Sequence, residues 1–232
     1  MTMLYVAGAG TDIGKTYVTA NLLAFLRSEG VDARALKPVM SGFDPQHPAA
    51  SDAGILLGAM GRSADASEIE AMAPLRFRAA LSPDMAARRE GRILRLAEIL
   101  EHCRAPAHTK ASPLLIESVG GIMSPIAEDA TSLDLLRALQ CPALLVVGSY
   151  LGAISHALTA LSACASHGGE VRALVVNESA SSAVSLDETC EALSRFCGAT
   201  PVIAAPRGAA PNHPVWRKAA LLCGLMAADS PA

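Results

Sequence analysis

Leu4-Tyr5-Val6-Ala7-Gly8-Ala9-Gly10-Thr11-Asp12-Ile13-Gly14-Lys15-Thr16 decides how the rest of the chain is read. An apolar run stops at Gly8, small and polar residues follow, and Gly14-Lys15-Thr16 opens an apolar helical pattern from Tyr17 to Leu26. That order, strand then loop then helix, is the order of a phosphate-binding P-loop. Glycines let the loop turn tightly and bring backbone N–H groups to phosphate oxygens. The helix start adds unpaired N–H groups and the positive end of its dipole. In such a loop Lys15 reaches the outer phosphates and the Thr16 hydroxyl ligates Mg²⁺.

The spacing leaves a second reading open. The position five residues before Gly14 is Ala9, with Gly8 one place earlier, and Gly8-x-Gly10-x-x-x-Gly14 also fits the phosphate loop of a nicotinamide dinucleotide oxidoreductase. Arg34 near the end of the second strand would suit a ribose 2′-phosphate. The Gly-Lys-Thr triplet favours the P-loop, because a dinucleotide site has no need of it.

Working outward, 232 residues fit one large α/β domain. Aromatics are only 3% of a chain that is 51% apolar, so the core must be aliphatic, which suits parallel strands under close-packed helices. A net charge of −3, with no basic run interleaved with aromatics, argues against nucleic acid as a partner. The six cysteines form no Cys-x-x-Cys pair and read as buried thiols. The N-terminus reads as a core strand rather than a signal peptide, and no apolar stretch is long enough for a membrane span, so a cytoplasmic protein is expected.

Strands are expected at Leu4–Gly8, Ala33–Lys37, Pro113–Glu117, Pro142–Gly148, Val171–Val176 and Pro201–Ala205, with Pro142–Gly148 near the sheet centre. Helices are expected at 15–28, from Ser51-Asp52 to about Met60, Asp84 to about Glu90, Ile93 to about Cys103, Thr131–Gln140, Gly152 to about His167, Leu186–Phe196 and about Trp216–Met226. Gly61–Phe77 resists assignment, and Ala105–Ser112 reads as a polar linker. The alternation predicts a doubly wound, mostly parallel sheet with helices on both faces. Ligands bind at the carboxyl ends of such strands, where Gly8, Lys37, Glu117, Gly148-Ser149 and Asn177 all fall.

Several of these residues have two readings. Glu117 ends a buried-type strand and therefore needs a partner, either Mg²⁺ or the next loop's N–H groups. Asp52 is a further oxygen donor or, with Ser51, a helix cap. Lys37 is a second cation for the γ-phosphate or a solvated strand-end charge. Asn177, closing a strand, reads on its own as a turn residue.

Taken together, Gly8–Thr16, Lys37-Pro38-Val39-Met40-Ser41-Gly42, Ser51-Asp52, Glu117 with Gly120-Gly121, and Leu151-Gly152-Ala153-Ile154-Ser155-His156 resemble the dethiobiotin synthetases of biotin synthesis. The resemblance runs from the first strand into the last third of the chain. It implies a reaction: 7,8-diaminopelargonic acid takes up CO₂ as a carbamate, the carbamate attacks the γ-phosphate of ATP, and the second amine closes a cyclic urea. It also implies roles. Lys15 and Lys37 would hold the γ-phosphate and the carbamate, and Thr11 and Ser41 the substrate end. Thr16, Asp52 and Glu117 would ligate magnesium. Asp12, Ile13, Gly14, Lys15, Thr16, Tyr17, Asn177 and Pro206 would contact the nucleotide. The helix start at Gly152, Ala153, Ile154 and Ser155 would clamp the substrate carboxylate of a second subunit, so a homodimer is implied. Four places depart from the family pattern: Ala9-Gly10 for Thr-Asp, Ser118-Val119 for Gly-Ala, Ser155 for Asn and Glu178 for Asp. A P-loop ATPase acting as a partner-controlled switch is the other class; such proteins carry a second lysine where this chain has Gly10.

Overall fold

The computed structural model describes residues 2–105 and 112–227. Six strands form one sheet: β1 (Met3–Gly8), β2 (Arg34–Leu36), β5 (Leu114–Glu117), β8 (Ala143–Gly148), β9 (Val171–Asn177) and β10 (Val202–Ala205). Their order is β10-β9-β8-β1-β5-β2, and every neighbouring pair is parallel. The chain builds one side of β1 first and then crosses to the other. The order therefore reverses at β1, and the loop after β1 lies at the switch point where ligands bind in such sheets.

Alternation along the strands feeds two cores. Leu4, Val6, Leu115, Leu144, Val146 and Val175 face one side, packed with α1 (Lys15–Ser28), α2 (Asp52–Ala59) and α9 (Pro214–Leu222). Tyr5, Ala7, Ile116, Leu145, Val147 and Val176 face the other, under α5 (Leu96–Arg104), α6 (Ser132–Leu139), α7 (Ala153–Ser166) and α8 (Leu186–Ser194). Period-two alternation with both faces apolar is what a sheet covered on both sides requires. The doubly wound expectation is met, and β8 is one of the two central strands. No helix among the described residues is long and apolar enough to cross a membrane.

The departures are local. Gly61–Phe77 holds α3 (Ala66–Met72) and β4 (Leu75–Arg76), the latter paired in parallel with β3 (Val39–Met40). Two-residue strands are too short for periodicity to reveal. The Asp65 side chain caps α3 by accepting the Glu68 N–H. A small antiparallel pair, β6 (Pro125–Ala127) and β7 (Ala130–Thr131), precedes α6 and was not expected. α5 starts at Leu96 rather than Ile93, whose side chain is exposed. α9 starts two residues earlier than expected, on Pro214 behind the His213 cap, and ends at Leu222. Between β4 and α5, α4 spans Pro83–Arg89. Most of the expected 105–112 linker lies outside the described residues. All six cysteines are free and buried or half-buried, and burial pushes their thiols up, Cys103, Cys141 and Cys223 to about 12 and Cys164 and Cys190 to about 11.

Candidate active site

The loop after β1 is shaped by its neighbours. Gly14 has φ +87°, and a Cβ there would fall 2.2 Å from Asn177 Nδ2. Only glycine meets both demands. A Cβ on Gly8 would lie 2.9 Å from the Lys15 side chain and 3.1 Å from the Gly120 carbonyl, so the two glycine loops close on each other. Asp12 sits at φ +55°, a conformation Asp adopts more readily than most non-glycine residues. No side chain caps α1 at Gly14, as befits a helix start that offers its N–H groups to an anion.

A cavity of about 740 Å³ opens over this loop. Thr11, Asp12, Gly14, Lys15, Thr16, Lys37, Ser41 and Asp52 all line it, although they come from three separate stretches of sequence. Its far wall is Ala80–Pro83, with Val119, Gly120, Ser124 and Pro125 closing the side.

The charges are tightly organised. Glu117 is fully buried at the end of β5, and its Oε1 accepts from Thr16 Oγ1 at 2.8 Å and from Lys37 Nζ at 2.6 Å. Lys37 Nζ also lies 2.8 Å from Asp52 Oδ2 and donates to the Ser118 carbonyl at 3.1 Å. Lys15 Nζ donates to the Gly10 carbonyl at 3.0 Å. Burial alone would push the Lys37 pKa down, but the Glu117 and Asp52 carboxylates outweigh it and hold the ammonium above the usual lysine value. Burial opposes ionisation of Asp52 as well, and Lys37, the Thr16 hydroxyl and Lys15 together hold it low. Lys15 behaves differently. Burial and the neighbouring Lys37 charge lower it to about 8, against the pull of Glu117, Asp52 and Asp12. The surface-charge reading of Lys37 and the loop-cap reading of Glu117 therefore do not describe their places in the fold. The cap reading applies to Ser51, whose Oγ accepts the Gly54 N–H, while Asp52 turns its carboxylate to Lys37.

Asn177, Pro206, Ile13 and Tyr17 stand apart from this cavity. Asn177 Nδ2 donates to the Ile13 carbonyl at 3.0 Å, tying the end of β9 to the loop. Asn177 pairs in register with Ala205, so Pro206 follows directly beside it. Tyr17 Oη donates to the Ala209 carbonyl, and its ring meets Trp216 edge-on. Gly152, Ala153, Ile154 and Ser155 form the first turn of α7 and do not line the cavity of their own chain. Sequence reasoning missed the Ala80–Pro83 wall. Ser82 offered no signal beyond a serine before a proline, yet its hydroxyl is buried without a hydrogen-bond partner.

Thr16, Asp52 and Glu117 suit magnesium as hard oxygen donors. Glu117 Oε2, buried and without a hydrogen-bond partner, is the observation that favours a cation there. Among the described residues no group of three His, Cys, Asp or Glu side chains could hold a metal, so the remaining ligands would be phosphate and water.

A parallel sheet with a Gly-Lys-Thr loop at its switch point and a buried carboxylate on the neighbouring strand defines a P-loop nucleoside triphosphatase. Solved structures share this fold: a ParA family ATPase from Chlorobium tepidum (TM-score 0.51, 14% identity, 90% of this chain and 86% of that one) and the MinC:MinD cell division complex of Aquifex aeolicus (0.53, 13%, 90% and 83%). At that identity they speak for the fold alone. A family described as an AAA domain matches residues 2–207. Much nearer are proteins named ATP-dependent dethiobiotin synthetase. That of Phenylobacterium zucineum is 45% identical over 94% of this chain and 93% of its own length. Those of Methylobacterium nodulans (46%, covering 91% and 96%) and Caulobacter sp. strain K31 (44%, covering 100% and 97%) are as similar. The chain belongs to the ATP-dependent dethiobiotin synthetase family.

Proposed function

We propose that this protein makes dethiobiotin, consuming ATP to carboxylate 7,8-diaminopelargonic acid with CO₂ and close its cyclic urea, as one P-loop domain working in the cytoplasm. The observation that carries the reading is the meeting of Lys15, Thr16, Lys37, Ser41 and Asp52 around one cavity, with Glu117 buried behind them and bonded to Thr16 and Lys37, in a chain 45% identical to a protein of that name.

The chemistry needs a diamine, a carbamate and a triphosphate held together. One amine nitrogen bonds the carbon of CO₂ and loses a proton, giving the carbamate. A carbamate oxygen attacks the γ-phosphorus, and the bond to the ADP oxygen breaks. The second amine attacks the carbamate carbon and loses a proton, phosphate leaves with the C–O electron pair, and the urea ring is closed. Positioning of this kind is worth on the order of 7–11 kcal/mol. Lys15, beside the backbone N–H groups of Asp12 to Thr16, would take the β- and γ-phosphates. Lys37 would stabilise charge where carbamate and γ-phosphate meet. Thr11 and Ser41 would hydrogen-bond the diamine end. Thr16, Asp52 and Glu117 would hold Mg²⁺, which neutralises phosphate charge when bound. Asn177, with its amide anchored on Ile13, and Pro206 would border the base, near Tyr17. The first turn of α7 from Gly152 to Ser155 would bind the substrate carboxylate of a second copy, making the working unit a homodimer; the 87% exposure of Leu151 beside it supports a contact there.

The test is phosphate release by purified protein with ATP, Mg²⁺ and bicarbonate, with and without the diamine. Release that depends on the diamine and yields the cyclic urea is expected. Release indifferent to the diamine would sink the reading and favour a switch ATPase.

A further inference from the structure

The Lys37 side chain has no free donor. An ammonium carries three N–H groups, and Lys37 Nζ has three acceptors: Glu117 Oε1 at 2.6 Å, Asp52 Oδ2 at 2.8 Å and the Ser118 carbonyl at 3.1 Å. The side chain is 3% exposed and Glu117 is fully buried. Lys37 therefore stands between the two carboxylates that the proposed function gives to magnesium, and it cannot turn to a phosphate without giving up at least one of these three acceptors. Two carboxylates this close, one of them fully buried, need a positive charge between them. Either an ammonium or a divalent ion supplies it; a metal drawn to the unpartnered Glu117 Oε2 would share the same two carboxylates with Lys37, which holds Glu117 Oε1 and Asp52 Oδ2, and would set two cations side by side.

We propose that Lys37 is a built-in counter-cation of the magnesium site, which competes with the metal for Glu117 and Asp52 and surrenders them when a triphosphate arrives. The phosphates provide Lys37 with new acceptors, so metal and nucleotide load together and the metal alone binds poorly. The same movement brings the Lys37 charge to the reacting oxygens only once the triphosphate is present. This inference rests on the assignment of Thr16, Asp52 and Glu117 as magnesium ligands.

The test is binding, without turnover. Mn²⁺ suits the same oxygen ligands as Mg²⁺, and free Mn²⁺ is read by its paramagnetic resonance during titration of nucleotide-free protein. Wild type should bind Mn²⁺ weakly, and Lys37→Met at least about tenfold more tightly, a change of roughly 1.4 kcal/mol. With a non-hydrolysable ATP analogue present the gap should narrow. Equal or weaker Mn²⁺ binding by Lys37→Met would overturn the proposal. If that variant unfolds without metal, recovery of its helical circular dichroism with Mn²⁺ would support it. If it stays unfolded throughout, wild type decides: nucleotide-free affinity matching that with the analogue would overturn the proposal, and much weaker affinity would support it. Glu117→Gln separates the two layers. If it leaves Mn²⁺ binding with the analogue unchanged, the ligand assignment itself is wrong; if it weakens that binding while Lys37→Met behaves as wild type, only the counter-cation role fails.

Discussion

On the β1–β5–β2 side of the sheet the carboxyl ends carry buried, mutually compensated charges, whereas on the β8–β9–β10 side they are tied by neutral hydrogen-bonding groups beside the half-buried Glu178, which accepts the Arg207 backbone N–H. Lys37, Glu117 and Asp52 compensate one another at 2.6–2.8 Å on the first side. On the second, Ser149 and Ser179 exchange bonds, each backbone N–H donating to the other's hydroxyl at 3.0 and 2.9 Å, and Asn177 ties to Ile13. The difference sets how much each side stands to lose. A buried charge stripped of its partner is costly, while a neutral hydrogen bond contributes about 1 kcal/mol. The proposed chemistry thus falls where disturbance is most expensive, and loop-to-loop bracing where it is cheap.

That contrast can be broken from the charged side first. Lys37→Ala should cost about 3–5 kcal/mol of stability in urea unfolding, because Glu117 is left buried without a cation. It should also lose about 2.7–4 kcal/mol of transition-state stabilisation, read as kcat/KM in phosphate release. Turnover close to wild type would remove Lys37 from the chemistry. Adding Glu117→Gln to Lys37→Ala should restore part of the stability and none of the activity.

Lys15 sharpens the comparison through pH. Its folded pKa of about 8 lies below the ordinary 10.5. Between those values the unfolded chain keeps a proton that the folded chain has released, so stability should rise with pH, by on the order of 2–3 kcal/mol relative to Lys15→Gln. Below about pH 8 that gain is absent. ATP affinity should run the opposite way and fall as the ammonium is lost. Melting and nucleotide titrations from pH 7 to pH 10 would check both signs, and parallel curves for the two proteins would refute them.

Gly14→Ala lies on the seam between the two sides. A methyl group 2.2 Å from Asn177 Nδ2, at φ +87°, should cost about 1–3 kcal/mol and weaken nucleotide binding by displacing Asn177. Unaltered affinity would show that the Asn177–Ile13 bond does not matter to the site. The smallest effect belongs to the neutral side: Ser179→Ala should destabilise by about 1–2 kcal/mol in thermal melting and leave kcat unchanged.

The same contrast explains what the sequence disclosed. A glutamate closing Leu114-Leu115-Ile116, or a lysine before Pro38, is conspicuous because charge at the end of an apolar strand demands a reason. Alternation and breakers likewise exposed all six strands of the sheet; β2, of only three residues, was marked by the Pro38 that stops it. The Ser149–Ser179 exchange was illegible, since it links ordinary serines thirty positions apart. So were the two-residue strands β3, β4 and β7, which exist only through their pairing. The Ala80–Pro83 wall was hidden because cavity walls of this kind are made by placement rather than by residue type.

The thiols carry a practical consequence. With five of the six cysteines pushed to about 11 or 12, thiolate at neutral pH is on the order of one molecule in ten thousand or fewer at each of them. A cysteine introduced at Leu151, the open position beside α7, would outpace them in reaction with a maleimide dye. The native protein, with none of its own cysteines removed, thus lends itself to fluorescent reporting of whatever docks on that end of the helix.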